Sequence, residues 1–289
     1  MLKCVNVQRF KITKYYMTCY SKIVVFDLDE TLGYFMELGM FWDALKSYIK
    51  HKEINILIDQ VMFNALLDLY PEFLRPNIIA ILNYLKHKKN KNQCDKLMIY
   101  TNNQAPIEWA NYIMKYFESK INFEIFDKII SAFKVNGKRV ELCRTTHLKT
   151  HSDFIKCTKL PEDTQICFLD DMYYPDMSNN KIYYINVKPY IHDLEFNEMI
   201  NRLLNSPILG TYIDEPTYCR AFMLSFLQKY NYIYVDKNTE AQKVDKIVSK
   251  KIIQHLHLFF KTQPDRPHTN KTKRQKNTKN KTLKKHTTK

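Results

Sequence analysis

The sequence predicts an α/β protein, a central parallel sheet flanked by helices and followed by a helical extension. Three observations carry this. Short apolar runs at 23–26, Lys96–Tyr100, 128–131, 166–169 and 182–185 alternate with segments of helical spacing, as in a sheet whose strands are covered on both faces. The 289 residues are 45% hydrophobic and 13% aromatic, enough for one core with appendages and too apolar for a disordered chain. Only 4 glycines are present, which excludes glycine-built phosphate loops and dinucleotide fingerprints.

Taken in order, the run IVVF at 23–26 predicts the first strand. Residues 35–42 are aromatic and interrupted by Gly39, which predicts a small hairpin flap. Helical spacing follows at 42–50 and 54–69, where the stripe of Ile54, Leu57, Ile58, Val61 and Leu66 predicts a core-facing side. Arg75-Pro76 opens a helix to about Lys89, with Pro at its first position. A polar turn at 88–95 leads to the strand Lys96–Tyr100, a helix over 107–117 and a strand over 128–131. Asn136-Gly137 marks a turn. A helix over 152–159 and strands over 166–169 and 182–185 complete the sheet.

Beyond Asn186 the pattern is helical, over 194–204, 217–230 and 240–260. His255 and His257 lie in the last of these, an amphipathic helix with Val244, Ile247, Val248, Ile252 and Phe259; no third ligand accompanies them, so they read as structural. The organisation expected is an α/β domain over 1–188, a helical extension packed on it over 189–261, and a disordered basic tail over 262–289.

The charge is uneven. Of the formal +15, ten positive charges and no acid fall in residues 266–289. Such a tail suits nucleic-acid phosphates through counterion release, or an import-like signal near 271–276. A solubilising extension explains it equally well, and a Lys- and Asn-heavy chain throughout points to AT-rich coding. The seven cysteines are odd in number, scattered and without a C-x-x-C pair; reduced thiols in an intracellular protein are expected. No signal-like apolar region and no run of about 18 apolar residues is present, so neither secretion nor a membrane span is expected.

The segment Phe26-Asp27-Leu28-Asp29-Glu30-Thr31-Leu32 holds the chemistry. A strand runs into two acids spaced i, i+2, and alternate residues of an extended chain face one side. Both carboxylates then point to the crevice at the carboxyl end of the strand, where open α/β sheets bind ligands. Their repulsion is relieved by a cation, and Mg2+ suits oxygen donors and a phosphate. One acid can attack phosphorus while the other moves a proton.

Alone, the pattern also fits a helix N-cap. It is not alone. Thr101-Asn102-Asn103 follows a second strand with donors for a phosphate oxygen, and Asp170-Asp171 follows a third. Arg144, Lys149 and Lys156 offer cations between them.

This order of signatures resembles the haloacid dehalogenase (HAD) superfamily of aspartate-dependent phosphotransferases. FDLDETL and Phe73-Leu74-Arg75-Pro76 are similar to its NLI-interacting-factor-like branch, which includes the RNA polymerase II C-terminal-domain phosphatases. The resemblance covers about residues 22–188. It implies a Rossmannoid fold with a small flap in place of a large cap, and a Mg2+-dependent phosphatase acting on phosphoserine or phosphothreonine in protein.

Residue by residue, it implies Asp27 as nucleophile and metal ligand, and Asp29 as general acid/base binding Mg2+ through its carbonyl. Thr101 would hold phosphate; beside the resemblance, Thr31, Asn102 and Arg144 are expected as further substrate-binding residues. Lys149 would be the third-motif cation, with Lys156 the alternative. Asp170 and Asp171 would complete the Mg2+ set.

Thr101-Asn102-Asn103-Gln104 departs from the small C-terminal-domain phosphatases. It is similar to the Thr-Asn-Gln turn of HAD polynucleotide and histidinol phosphatases, which keeps a nucleic-acid end or a small metabolite open as substrate. A catalytically idle scaffold docking nucleic acid through the tail is the expectation from another class.

Overall fold

A computed structural model describes residues 21–213 and 215–261. The basic tail and the N-terminal stretch read above for a signal lie outside the described residues. Chain order is β1 (Lys22–Phe26), α1 (Met36–His51), α2 (Gln60–Asp68), α3 (Ile78–Asn90), β2 (Lys96–Tyr100), α4 (Ile107–Ile121) and β3 (Lys128–Ile130). A two-stranded hairpin, β4 (Lys134–Val135) and β5 (Lys138–Arg139), comes next, then α5 (His151–Thr158), β6 (Gln165–Asp170) and β7 (Ile182–Asn186). Helices α6 (Phe196–Leu204), α7 (Pro216–Leu227) and α8 (Thr239–Lys261) end the described chain.

Five strands form one parallel sheet in the order β3-β2-β1-β6-β7. It is a Rossmann-like α/β fold. Alternation along each strand sorts side chains onto two faces. Val24, Phe26, Leu97, Ile99, Cys167 and Leu169 join the larger core with the helices α1–α4 and α6–α8, whereas Ile23, Val25, Met98, Tyr100, Ile166 and Phe168 pack on the face covered by α5. Helical connections run on the first face as far as β3 and cross to the second before β6. Strand β1 is therefore flanked by neighbours reached from opposite sides, the arrangement that opens a crevice at strand carboxyl ends.

The C-terminal helices share the larger core. Cys219, Met223 and Leu227 of α7 and Ile252, Leu256 and Phe259 of α8 are buried in it. Lys22 Nζ at the start of β1 donates to the Phe259 carbonyl at 2.7 Å. His255 Nδ1 meets the Tyr183 hydroxyl at 2.9 Å and His257 packs on the Tyr84 ring, consistent with structural roles. No helix among the described residues is long and apolar enough to cross a membrane.

Several local expectations are corrected. Residues 35–42 are not a flap: α1 starts at Met36, and Gly39 is helical. A Cβ on Gly39 would lie 3.4 Å from the Trp109 ring, so this glycine marks close helix–ring packing rather than a turn. The helix expected over 54–69 starts only at Gln60, where the Asp59 carboxylate accepts from the amides of Val61 and Met62 and fixes the N-terminus. Leu57 and Val61, placed in the core by periodicity, are 74% and 73% exposed. Helix α3 begins at Ile78, after Asn77 in the left-handed region at φ 61°. Arg75 and Pro76 therefore precede it.

Cys143 and Cys157 form a disulfide, against the expectation of reduced thiols; Cys94, Cys167 and Cys219 are free and buried. The loop after the β4–β5 hairpin returns to α5 and brings the two Cα atoms to 5.0 Å, within the span a disulfide bridges. A separation of 14 residues carries no motif that would announce the pair.

Candidate active site

Strand register assembles the site. Phe26 pairs with Leu169 and the Asp27 amide donates to the Leu169 carbonyl at 2.9 Å. The next residues, Asp27 and Asp170, are thereby adjacent at the carboxyl ends of β1 and β6. Carboxylate oxygens of Asp27, Asp170 and Asp171 all lie within 4.8 Å of one another. On the other side of β1, Phe26 pairs with Ile99, which sets Thr101 just past the end of β2.

Lys149 sits between the two strand ends. Its Nζ donates to Asp27 Oδ1 and to Asp170 Oδ2, both at 2.6 Å, and the residue is 1% exposed. Thr150 immediately after it caps α5 by accepting from the Asp153 amide at 3.1 Å. The lysine is thus anchored at a helix start. Lys156, the alternative, is exposed on α5.

Asp29 is held by Asn103, whose Nδ2 donates to Asp29 Oδ2 at 2.7 Å. Its side chain stands outside the three-carboxylate cluster. Thr101 Oγ1 accepts from the Asn103 amide at 3.0 Å, which leaves the hydroxyl hydrogen uncommitted. Asn102 donates to the Tyr174 hydroxyl at 3.0 Å. Thr31 accepts from the Asp171 amide and donates to its Oδ1, both at 3.2 Å. Thr31 therefore braces a carboxylate rather than facing the open crevice.

Arg144 does not join the acidic cluster. It is wholly buried, and its guanidinium donates to the carbonyls of Thr101, Ser131, His147 and Leu148 and to Asn102 Oδ1. All these acceptors belong to the loops that position Thr101 and Lys149. Its role is to hold those loops, against the expectation of direct phosphate contact.

Two residues matter here in roles that the sequence did not show. Asn103 is one; it is expected with Thr101 and Asn102 as a phosphate donor, since alternation gives no hint of which amide turns toward Asp29 in a loop. Arg75 is the other. Its Nε donates to the Thr31 carbonyl at 2.5 Å and its NH2 to those of Glu30 at 2.5 Å and Lys188 at 2.9 Å. Glu30 has φ 56°, a conformation side chains resist. The clamp fixes this turn, which aims Asp27 and Asp29. Gly33 closes it: a Cβ there would meet the Phe73 carbonyl and the Phe35 ring at 2.5 Å.

Acids outnumber cations at the site. Burial pushes Asp29 up to about 7, against the Asn103 hydrogen bond and with help from the Asp27 charge. Burial also pushes Asp170 up to about 7, against the pull of Lys149. Burial and Asp27 raise Asp171, and burial and Asp171 raise Glu30. Burial works against charge on Lys149, but Asp27 and Asp170 outweigh it and hold its pKa above the ordinary value.

One ammonium among these acids leaves an excess of negative charge in hard oxygen donors, the donor set Mg2+ takes. Asp27 Oδ2 has no hydrogen-bond partner among the described residues, Asp170 Oδ1 accepts only the Met172 amide at 2.9 Å, and Asp171 stands beside them. The residues fit a divalent ion.

A cleft of about 520 Å³ opens beside Asp29 and Asn103 and runs between α1 and the start of α4. No family model, no curated protein and no solved structure matches this chain.

Proposed function

We propose that the protein is a Mg2+-dependent phosphomonoester hydrolase of HAD type, working through an aspartyl-phosphate on Asp27. The observation that carries this is the meeting of Asp27, Asp170 and Asp171 around Lys149, from strands far apart in sequence. A structural ion pair needs one acid for one lysine. Three carboxylates beside one lysine, with a fourth on Asn103 that lines a cleft, are an expensive arrangement without a ligand.

In the proposed reaction Asp27 Oδ2, the oxygen not committed to Lys149, attacks phosphorus. The bond from phosphorus to the leaving oxygen breaks, and protonated Asp29 gives that oxygen its proton. Asp29, now a carboxylate, takes a proton from water. The resulting hydroxide attacks phosphorus, the Asp27–phosphorus bond breaks, and inorganic phosphate leaves. Lys149 and the Thr101 hydroxyl stabilise charge on the phosphoryl oxygens. Mg2+ held by Asp27, Asp170 and Asp171 would neutralise further charge on those oxygens. Asn103 orients Asp29, and an Asp29 pushed up to about 7 is suited to both halves of the proton transfer at neutral pH.

The test is release of inorganic phosphate from simple phosphomonoesters with and without Mg2+. Uncatalysed monoester hydrolysis is so slow that any enzyme must accelerate it by many orders of magnitude. Turnover in the parent that needs Mg2+ and vanishes in Asp27→Asn supports the reading. Equal traces in both proteins overturn it and leave the idle scaffold.

A further inference from the structure

We infer that the alcohol released from the substrate is a compact aromatic one, and that the cleft between α1 and α4 holds its ring. The inference rests on the phosphatase reading, since Asp29 is the group that meets the leaving oxygen. Asp29 also lines the cleft. Whatever is bonded to that oxygen therefore extends past Asn103 into the cleft.

The walls say what fits there. Trp42, Trp109 and Tyr112 line the cleft. All three pack against the Phe63 ring, with centroids at 5.5, 5.5 and 5.1 Å. They are held in place before any ligand arrives, and preorganised rings lose little freedom on binding. A volume of about 520 Å³ exceeds what a phosphoserine side chain can fill, and burying a ring there gains apolar contact. Beyond their first turns the two long walls are helices whose backbone groups are internally bonded, so an extended peptide main chain finds few partners along them.

Charge narrows the choice further. Glu30, Asp43 and Glu108 line the cleft against Lys46, and Lys46 is already paired with Asp43 at 2.8 Å. A second phosphate on the leaving group would be repelled. The occupant is aromatic and carries no negative charge of its own, which disfavours a nucleic-acid end.

The experiment compares benzyl phosphate with propyl phosphate on the full chain with Mg2+. Both release primary alcohols of similar acidity, so the ring is what differs. The expected kcat/KM is at least about tenfold higher for benzyl phosphate, which corresponds to about 1.4 kcal/mol. In Gly39→Leu, whose side chain would project beside Trp109, the ratio falls toward one. Trp42 and Trp109 are the 2 tryptophans of the chain, so their fluorescence reports occupancy directly. Benzyl alcohol should change it saturably in the parent and in Asp27→Asn, and far more weakly in Gly39→Leu.

Equal kcat/KM for the two esters, or no saturable fluorescence change, overturns the inference and leaves the phosphatase standing. A phosphoserine peptide or an oligonucleotide 3′-phosphate hydrolysed better than benzyl phosphate also overturns it. No Mg2+-dependent turnover of any ester overturns the phosphatase reading, and the leaving-group role falls with it.

Discussion

Two groups of buried acids lie near β1, and they are built differently. At the strand ends Asp27 and Asp170 share Lys149, and Asp29, two residues past Asp27, lines a cleft. Near the start of α1, Glu37 and Asp193 are buried without a lysine or arginine between them. Glu37 Oε2 accepts from the Leu194 amide and Asp193 Oδ2 from the Val235 amide, both at 2.9 Å. Glu37 Oε1 is buried with no hydrogen-bond partner. Burial pushes Glu37 up to about 8, against the Leu194 amide and with help from Asp193. Both groups relieve charge by holding protons, but the first also shares a lysine, which the second lacks. Burial of acids is thus no mark of a site; a shared cation and an opening to solvent are.

The largest effect should come from Asp27. Asp27→Asn should lower phosphomonoester turnover by at least about a thousandfold, because the nucleophile of a very slow reaction is lost. Circular dichroism should show the fold retained. A change of only severalfold would make the strand-end acids structural, like Glu37.

Lys149 should cost stability most. Lys149→Met removes the cation from buried Asp27 and Asp170, and breaking such a pair costs about 3–5 kcal/mol. Denaturant melts should show this loss near pH 8 and a smaller one near pH 5, where Asp170, pushed up to about 7, takes a proton. A further Asp170→Asn change in that background should recover part of it. A neutral Lys149→Met would mean that the acids do not need the lysine.

Arg75→Lys comes next, since an ammonium cannot reach the carbonyls of Glu30, Thr31 and Lys188 with a planar fork. The expected cost is about 2 kcal/mol, from buried carbonyls left unsatisfied. Turnover should fall more than stability explains, because the turn that aims Asp27 and Asp29 loosens. A melt and a kcat measurement on one preparation separate the two.

The smallest effect concerns pH. Glu37 keeps its proton in the folded state up to about 8, whereas the unfolded carboxyl ionises near 4.5. Its contribution is full below the lower value and is lost as pH rises through the upper one. Asp29 and Asp170 act in the same direction. Glu37→Gln removes one of these contributions, so Tm should decline less between about pH 5 and pH 8 than in the parent. An unchanged slope would mean that Glu37 ionises freely in the folded protein.

The strands and their terminal acids were readable from sequence because parallel strands are apolar throughout and end abruptly in charge. Register then did the rest: pairing Phe26 with Leu169 leaves Asp27 and Asp170 no other place. What sequence did not reveal depends on contacts between loops. Arg144 looked like a phosphate cation, yet five acceptors from nearby loops engage its two terminal nitrogens. Gly39 looked like a turn, since sequence cannot show the Trp109 ring that packs against it. Leu57 and Val61 follow a helical period, but Asp59 starts the helix between them and strands both at the surface.

The claim that Asp27 accepts the phosphoryl group is open to chemical trapping. During turnover with Mg2+ and an excess of phosphomonoester, borohydride reduces an aspartyl-phosphate to homoserine, expelling phosphate, and leaves free carboxylates intact. Peptide mass spectrometry should find homoserine in place of Asp27 and unmodified Asp29, Asp170 and Asp171. Steady turnover with no reduction at Asp27, or with reduction at another acid, would contradict the account.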